Sequence, residues 1–123
     1  PGRSGAHLLL TWEYLRVGGA GADVALLHRE MVDSLRAWQA RSHAYAAAWS
    51  QDFSGQFAAT TCPVTVLTAR DDILFPYFDR AQTLRPDVRT NILDRGANFA
   101  PDLMPDEVAE ALASHIVEAE RET

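Results

Sequence analysis

The stretch Thr-Ala-Arg-Asp-Asp-Ile-Leu-Phe-Pro, residues 68–76, decides how the rest of this 123-residue chain is interpreted. The apolar run Pro63-Val64-Thr65-Val66-Leu67 comes directly before it. Its β-branched residues predict a buried strand, with the proline where a strand can begin. The strand leads into Asp71 and Asp72. Because ligands of parallel sheets bind outside the carboxyl ends of the strands, chemistry is expected at these two acids.

A second strand is predicted from the alternation of Val88, Thr90 and Ile92 within residues 88–93. Residues 77–84 between the strands predict a short helix, which Pro86 ends. The order strand, helix, strand is that of a βαβ unit, in which the strands are parallel. The acids after the first strand and the turn around Gly96 after the second are therefore expected at the same edge of the sheet.

The last helix is predicted to start at Pro105, a favourable residue for a first turn. Its positive N-terminal end suits the acids at positions 106 and 107. The helical spacing of the apolar residues predicts one buried side, formed by Val108, Leu112, Ile116 and Ala119. His115 lies beside this stripe and is expected to face the sheet edge rather than the loop tips.

Helices are also predicted for most of the first 50 residues. Residues 7–16 place Leu8, Trp12 and Leu15 on one face of a short helix that ends at a glycine-rich segment. From Asp23, a plausible N-cap, no glycine or proline occurs until Gly55. Residues 23–50 therefore predict either one long helix or two abutting helices with a break near residue 42, and residues 51–61 predict a loop. The apolar stripe of this segment consists of Val24, Leu27, Met31, Leu35, Trp38, Tyr45 and Trp49.

Residues 60–117 resemble the last third of the α/β-hydrolase superfamily. In that family the penultimate core strand ends in Gly-x-x-Asp-x-x-x-Pro, and the matching stretch here, from Ala69 to Pro76, aligns Asp72 with the acid of the catalytic triad. The last strand of the family is followed by a Gly-His turn that supplies the general base. The matching stretch here begins at Gly96 and has Asn98 in the position of the histidine.

The resemblance implies a catalytic site that is incomplete in this chain. No Gly-x-Ser-x-Gly nucleophile elbow or His-Gly-Gly-Gly-like oxyanion stretch is present. The amide of Asn98 can offer Asp72 a hydrogen bond but is not a base near neutral pH. Since the acid of a triad acts through its histidine, Asp72 is expected to move no proton to or from a substrate. A structural role, accepting backbone N–H groups of its own turn, would also retain it.

Composition narrows the range of functions. A net charge of −6 argues against a nucleic-acid or anionic-membrane partner. The lone cysteine, Cys62, excludes an internal disulfide and is expected to be a buried, inert thiol. No apolar run has the length of a membrane span and no signal peptide is visible, so a cytoplasmic protein is the default expectation. No metal or other cofactor is predicted. The initial Pro1 suggests that the chain is a piece or a processed product of something longer.

The sequence thus predicts a partial α/β-hydrolase-like fold of the α/β class. A small parallel sheet of about two strands is expected to pack with four or so helices, including a long cap-like helix. The expected parts are a flexible leader at residues 1–6, a cap-like helical region at 7–55, a C-terminal βαβα part at 56–119 and a tail at 120–123. In the family, helices before the acid strand cover the active site, although an aromatic stripe is also ordinary core.

Three functions stay open from the sequence. In the first, the chain is the C-terminal part of a hydrolase-like protein that acts on small, apolar ester-like substrates, and the chain by itself is inactive. Alternatively, it is a free-standing degenerate domain that binds a small apolar ligand or forms dimers, or a helical module that serves only for assembly. Because two strands leave open edges and apolar faces, a missing N-terminal half, a homodimer partner or the cap helices must cover the sheet.

Overall fold

The computed structural model of the chain describes residues 3–121. Residues 1 and 2 of the expected leader and residues 122 and 123 of the expected tail lie outside the described residues. The chain divides into two compact units, the first ending at Gln51 and the second beginning at Asp52. The expected boundary between the helical region and the sheet-containing part was four residues later. Each unit is described by itself.

The first unit consists of helices α1 (Ala6–Val17), α2 (Val24–Arg36) and α3 (Trp38–Trp49). The predicted helix at residues 7–16 is confirmed as α1, which ends at a glycine. Asp23 caps α2 as predicted, because its Oδ1 accepts hydrogen bonds from the amides of residues 25 and 26 at 2.7 and 3.0 Å. The buried residues of this unit are Leu15, Ala20, Leu26 and Leu27.

The prediction of one long cap-like helix over residues 23–50 is wrong, and the predicted alternative break near residue 42 is five residues too late. The helix breaks at Ala37, whose φ and ψ are −81° and 3°. Neither glycine nor proline marks this position, and backbone bonds continue across it, from the Ala37 amide to Asp33 and from the Arg41 amide to Ala37. The break accompanies an edge-on contact of Trp38 with the ring of His7 in α1, with 5.4 Å between centroids. The apolar stripe of this segment does not mark the position of the break.

The second unit contains the sheet. Its elements are α4 (Phe53–Ala59), β1 (Thr65–Ala69), α5 (Arg80–Leu84), β2 (Arg89–Leu93), α6 (Ala100–Leu103) and α7 (Pro105–Arg121). The two strands are parallel and in register from Thr65 opposite Arg89 to Ala69 opposite Leu93. The α/β class, the βαβ order and the two-stranded sheet are therefore as predicted. With seven α-helices in residues 3–121, the expected number of four or so is too low.

The predicted loop at residues 51–61 is wrong, because α4 lies within it. The Asp52 side chain caps this helix by accepting a hydrogen bond from the Gly55 amide at 3.0 Å. Phe53 and Phe57 stack one turn apart, with 5.7 Å between ring centroids. A cap and a single aromatic pair specify a two-turn helix that is too short to show a hydrophobic period.

The buried side of α7 differs from the prediction. Ala111 is buried and Val108 is half-buried, whereas Leu112 and Ile116 are 58% and 57% exposed. In the second half of the helix, His115 Nδ1 lies 2.9 Å from the hydroxyl of Thr65 at the start of β1. With only two strands to pack on, α7 buries a narrow stripe and leaves the neighbouring apolar residues in solvent.

The core of the second unit lies under the carboxyl ends of both strands. Ala69, Leu93 and Met104 are its buried members. They are joined by the half-buried apolar residues Leu67, Ala100, Leu103 and Val108. The two loops that leave the strands are therefore anchored on the best-packed part of the unit. Among residues 3–121, none of the helices has the length and hydrophobicity needed to cross a membrane.

Candidate functional site

The loops that follow β1 and β2 lie side by side, as the parallel topology predicts. The last paired residues are Ala69 and Leu93, and the Arg70 amide adds one more bond, to the Leu93 carbonyl at 2.9 Å. The acid loop, residues 70–76, and the glycine turn, residues 94–99, therefore begin at adjacent points of the same sheet edge. This is the edge at which open parallel sheets bind ligands.

Asp72, the aligned triad acid, is half-buried and is held by its own turn. Its Oδ1 accepts a hydrogen bond from the Leu74 amide at 2.6 Å, and its carbonyl accepts one from the Phe75 amide at 3.0 Å. The Asp72 amide in turn donates to the Ala69 carbonyl at 3.0 Å. This is the structural role that the sequence offered as an alternative to catalysis, an aspartate satisfying the backbone of the turn that it starts.

Asn98, in the position of the family's histidine, is exposed and does contact the acid loop. Its Oδ1 accepts a hydrogen bond from the Ile73 amide at 3.5 Å, the long end of the range. The contact is therefore with the backbone of the loop rather than with the Asp72 carboxylate. Positions 72 and 98 are thus brought close together, because the amide that Asn98 binds belongs to the residue directly after Asp72.

The shortest link between the two loops uses Asp71, which the sequence placed at the site without a role. Its Oδ1 accepts a hydrogen bond from the Ala97 amide at 2.8 Å. Ala97 has a φ of +45°, and the preceding Gly96 has a φ of +132°. A side chain on Gly96 would also lie 2.9 Å from the Cα and Cβ of Ala100. The tight turn leaves an amide without an intrachain helical partner, and the first acid of the Asp-Asp pair satisfies it.

The sequence carried a signal that an acid of the Asp-Asp pair would bond to this turn, but not which of the two. A turn that needs glycine presents unpaired backbone N–H groups, and a neighbouring acid is their natural acceptor. The two consecutive acids therefore accept different hydrogen bonds. Asp71 accepts one from the second loop, and Asp72 accepts one from the backbone of its own loop. The exposed ion pair between Arg70 Nε and Asp94 Oδ1, 3.4 Å apart, adds a weaker link between the same loops.

An apolar groove of about 500 Å³ leads from the acid loop along the second unit. Phe53, Phe57, Leu74, Phe78 and Leu84 supply much of its apolar lining, and Asp72 lies among the lining residues. Its volume falls within the roughly 300–1,000 Å³ of small-molecule sites, which are typically apolar with a few placed polar groups. The candidate acid therefore adjoins a space that could receive a small apolar ligand.

His115, the one histidine of the second unit, lies at the other end of the sheet. Its Nδ1 contacts Thr65, the first residue of β1, whereas Asp72 follows the last residue of that strand. The expectation that His115 faces away from the loop tips is confirmed. This imidazole therefore lies away from the loops that carry Asp72 and Asn98.

An ion pair between a buried arginine and an exposed aspartate also lies at the amino-terminal end of the strands. The Arg85 side chain is buried and binds the carboxylate of Asp87 through two nitrogens, Nε at 3.2 Å and Nη2. This hydrogen bonding lowers the pKa of Asp87 and raises the pKa of Arg85 further. Since both residues precede β2, the pair is remote from the acid loop and its role is structural.

The prediction of a buried thiol at Cys62 is wrong, although the backbone of this residue contacts Arg85. Its Nη1 and Nη2 lie 3.5 and 3.4 Å from the Cys62 carbonyl oxygen. The chain before β1 is thus fixed through its backbone, and the Cys62 side chain is exposed. In the part of the chain that the structure describes, no three or more His, Cys, Asp or Glu side chains gather as metal ligands.

Comparisons with protein-family models, with curated proteins and with solved structures find no match to this chain. The geometry of the second unit therefore carries the functional argument. It provides two adjacent loops, a carboxylate in the lining of an apolar groove, and the amide side chain of Asn98 against the backbone of the acid loop.

Proposed function

We propose that this chain is the C-terminal part of an α/β-hydrolase-like protein and that it is catalytically inactive by itself. The longer protein would resemble serine-type hydrolases of small, apolar ester-like substrates. The observation that carries the proposal is the joining of the acid loop to the glycine turn by the bonds Asp71–Ala97 and Ile73–Asn98. An aligned acid and an aligned base position are expected to meet in this way at the carboxyl edge of two parallel strands.

The predicted inactivity follows from the groups present at that edge. Asp72 can orient and stabilise a histidine, but Asn98 offers an amide that takes up no proton near neutral pH. The bond from the Leu74 amide also engages one carboxylate oxygen of Asp72 in its turn. Without a base, a hydroxyl nucleophile supplied by another part of the protein would stay protonated.

The exposed apolar surface of the second unit supports a partner. Ile73, Leu112, Ile116 and Val117 are all about half exposed or more. The sheet has two strands, so each strand has a neighbour on one side only. We propose that a further polypeptide covers these surfaces, either an N-terminal half of the same protein or a second copy of the chain. Light scattering on the purified chain distinguishes the two, because a stable dimer indicates the second copy.

Hydrolysis of a short p-nitrophenyl ester tests the inactivity. The purified chain is expected to give the same rate as a chain in which Asp72→Asn removes the aligned acid. The rate should also equal that of the Asp94→Asn control, which changes an exposed carboxylate of the same loops. Saturable hydrolysis that Asp72→Asn abolishes and Asp94→Asn leaves intact would overturn the proposal.

A second candidate function, binding of a small apolar ligand, is favoured by the groove beside Asp72. In this case the chain acts as a free-standing degenerate domain. The lining residues come from α4, β1, the acid loop, the two residues Tyr77 and Phe78 after it, and α5, so the groove is complete within the second unit. This candidate needs neither a base nor a nucleophile.

Ligand binding is tested with 1-hexanol as a neutral apolar probe and backbone amide NMR as the readout. Saturable shifts are expected in β1 and α4. Ser54→Trp, which places a large ring at the lining of the groove, should abolish them, whereas Gln56→Trp on the same helix lies outside the lining and should not. Equal effects of the two substitutions would reject the groove as the site.

A further inference from the structure

A second groove lies in the first unit, between α1 and α3, and its chemistry differs from that of the groove beside Asp72. It has a volume of about 490 Å³. His7 and Leu10 line it from α1, and Trp38, Arg41 and Tyr45 line it from α3. One wall is aromatic, and the basic side chains carry no acidic neighbour within the lining. This contrasts with the net charge of −6 of the chain.

Arg41 is the cation of this groove. Its guanidinium carbon lies 5.9 Å from the ring centroid of Tyr14 and 5.8 Å from that of Tyr45. These contacts with aromatic rings hold the side chain but supply no acceptor atom for its N–H donors. Among the described residues, none forms an ion pair or a side-chain hydrogen bond with Arg41. The guanidinium is thus positioned and its donors are available.

His7 adds a second polar group at the same place. Its Nδ1 is buried and has no hydrogen-bond partner within the described chain. The ring is held by the edge-on contact with Trp38, and its backbone carbonyl is occupied by the hydroxyl of Thr11 at 2.9 Å. A buried polar atom without a partner is uncommon in folded proteins and calls for an explanation. Since this atom is out of reach from the groove, His7 contributes the rest of its ring to the lining, and Arg41 supplies the polar contact.

We propose that this groove binds a small aromatic carboxylate. The carboxylate would lie against Arg41, whose planar fork of donors matches two carboxylate oxygens, and the ring would pack on Trp38 and Tyr45. One guanidinium suits a single negative charge better than a doubly charged phosphate. The volume falls in the range of roughly 300–1,000 Å³ for small-molecule sites. This site is independent of the proposed function, since every residue named belongs to the first unit.

The first test is a titration of the full chain with 2-naphthoate, followed by NMR of the Trp38 indole N–H and the α1 and α3 amides. A ligand of this size is expected to bind with a Kd of about 1 mM. The neutral isostere 2-naphthamide should bind at least about tenfold more weakly, because it lacks the charge-assisted hydrogen bonds. The proposal is overturned by the absence of saturable shifts, by equal binding of the amide, or by shifts confined to residues 52–121.

The second test separates the charge of Arg41 from the forked geometry of its donors. Arg41→Gln should weaken 2-naphthoate binding by about tenfold, and Arg41→Lys, which keeps the charge without the fork, should weaken it less. The control is Arg16→Gln, since Arg16 is an exposed arginine of α1 that pairs with Glu13 at 2.7 Å and does not line the groove. Binding that is the same in all three variants as in the unaltered chain would refute the role of Arg41.

Discussion

The bond between Asp71 and the Ala97 amide makes a quantitative prediction about how the two loops are held. A hydrogen bond to a charged acceptor is worth about 1.5–3 kcal/mol, and solvent exposure reduces this value. Asp71 is exposed, but its 2.8 Å bond satisfies the amide of a residue held at a positive φ. Asp71→Ala should therefore lower the free energy of unfolding of the second unit by about 1 kcal/mol.

The assay must report on the second unit. Tryptophan fluorescence does not, because the tryptophans at positions 12, 38 and 49 all lie in the first unit. Urea unfolding followed through the NMR signals of β1 and β2 meets this need. Amide hydrogen exchange measured in the same samples shows whether the turn opens locally, and the Ala97 amide should exchange about fivefold faster in Asp71→Ala.

The matched control is Asp94→Ala, which removes an exposed carboxylate from the same pair of loops. Its pairing with Arg70 at 3.4 Å is a surface ion pair, so the expected loss is about 0.5 kcal/mol or less. Asp71→Asn keeps an acceptor oxygen, so its loss in the free energy of unfolding should fall between those of Asp71→Ala and Asp94→Ala. The reasoning is refuted if Asp71→Ala costs no more than Asp94→Ala and the exchange of the Ala97 amide is unchanged.

Three further predictions follow from the second unit. Gly96→Ala should destabilise it by about 2 kcal/mol or more in urea unfolding, because the added Cβ meets Ala100 and the φ is positive; a wild-type midpoint would contradict this. Hydrogen bonding to Arg85 lowers the pKa of Asp87 in the folded chain. The ionised Asp87 therefore stabilises the fold at pH values above the ordinary aspartate pKa of about 3.9, and this stabilisation is lost as the pH falls through the lower pKa of the folded state. Thermal melts should show Asp87→Asn less stable at neutral pH, with the difference shrinking below about pH 4; a constant difference down to pH 2 would exclude this linkage. Leu112→Ser, on the exposed side of α7, should change stability by about 0.5 kcal/mol or less, and a loss above about 2 kcal/mol would mean that this side is buried.

The βαβ part of the fold could be predicted because its signals are local. The β-branched run before the acids, the alternation at residues 88–92 and the proline at position 105 each specify an element with its own chemistry. Parallel pairing then follows from the intervening helix. Asp23 was recognisable as a cap for the same reason, since capping depends on the next two or three residues only.

The sequence-based predictions were wrong where contacts between distant parts of the chain, and the area available for packing, accompany the local structure. The helix break at Ala37 carries no glycine or proline and accompanies the contact of Trp38 with His7, residues that are 31 positions apart. The buried side of α7 was misassigned because an apolar stripe shows which residues could be buried, not how wide a surface is available to cover them. With a two-stranded sheet the surface is narrow, and Ile116 stays exposed.

The sequence predicted the location of the candidate site better than it predicted the hydrogen bonds within it. It placed Asp72 and Asn98 at adjacent loops, but the hydrogen bonds join Asp71 to the Ala97 amide and Asn98 to the Ile73 amide, and neither uses the Asp72 carboxylate. Which of two consecutive acids crosses to the neighbouring loop depends on the direction that each side chain takes in the turn. That direction is fixed by the backbone geometry of the loop and has no signature in the residue types.

The most direct test of the central claim is the pKa of an imidazole placed at position 98. If this position is the vacant base site beside the aligned acid, the imidazole of Asn98→His should have a pKa above the ordinary value of about 6.5, since a carboxylate within about 4–6 Å favours its charged form. Adding Asp72→Asn should return the pKa towards that ordinary value. The account would be contradicted by an NMR titration that gives an ordinary or lowered pKa in Asn98→His and no change when Asp72→Asn is added.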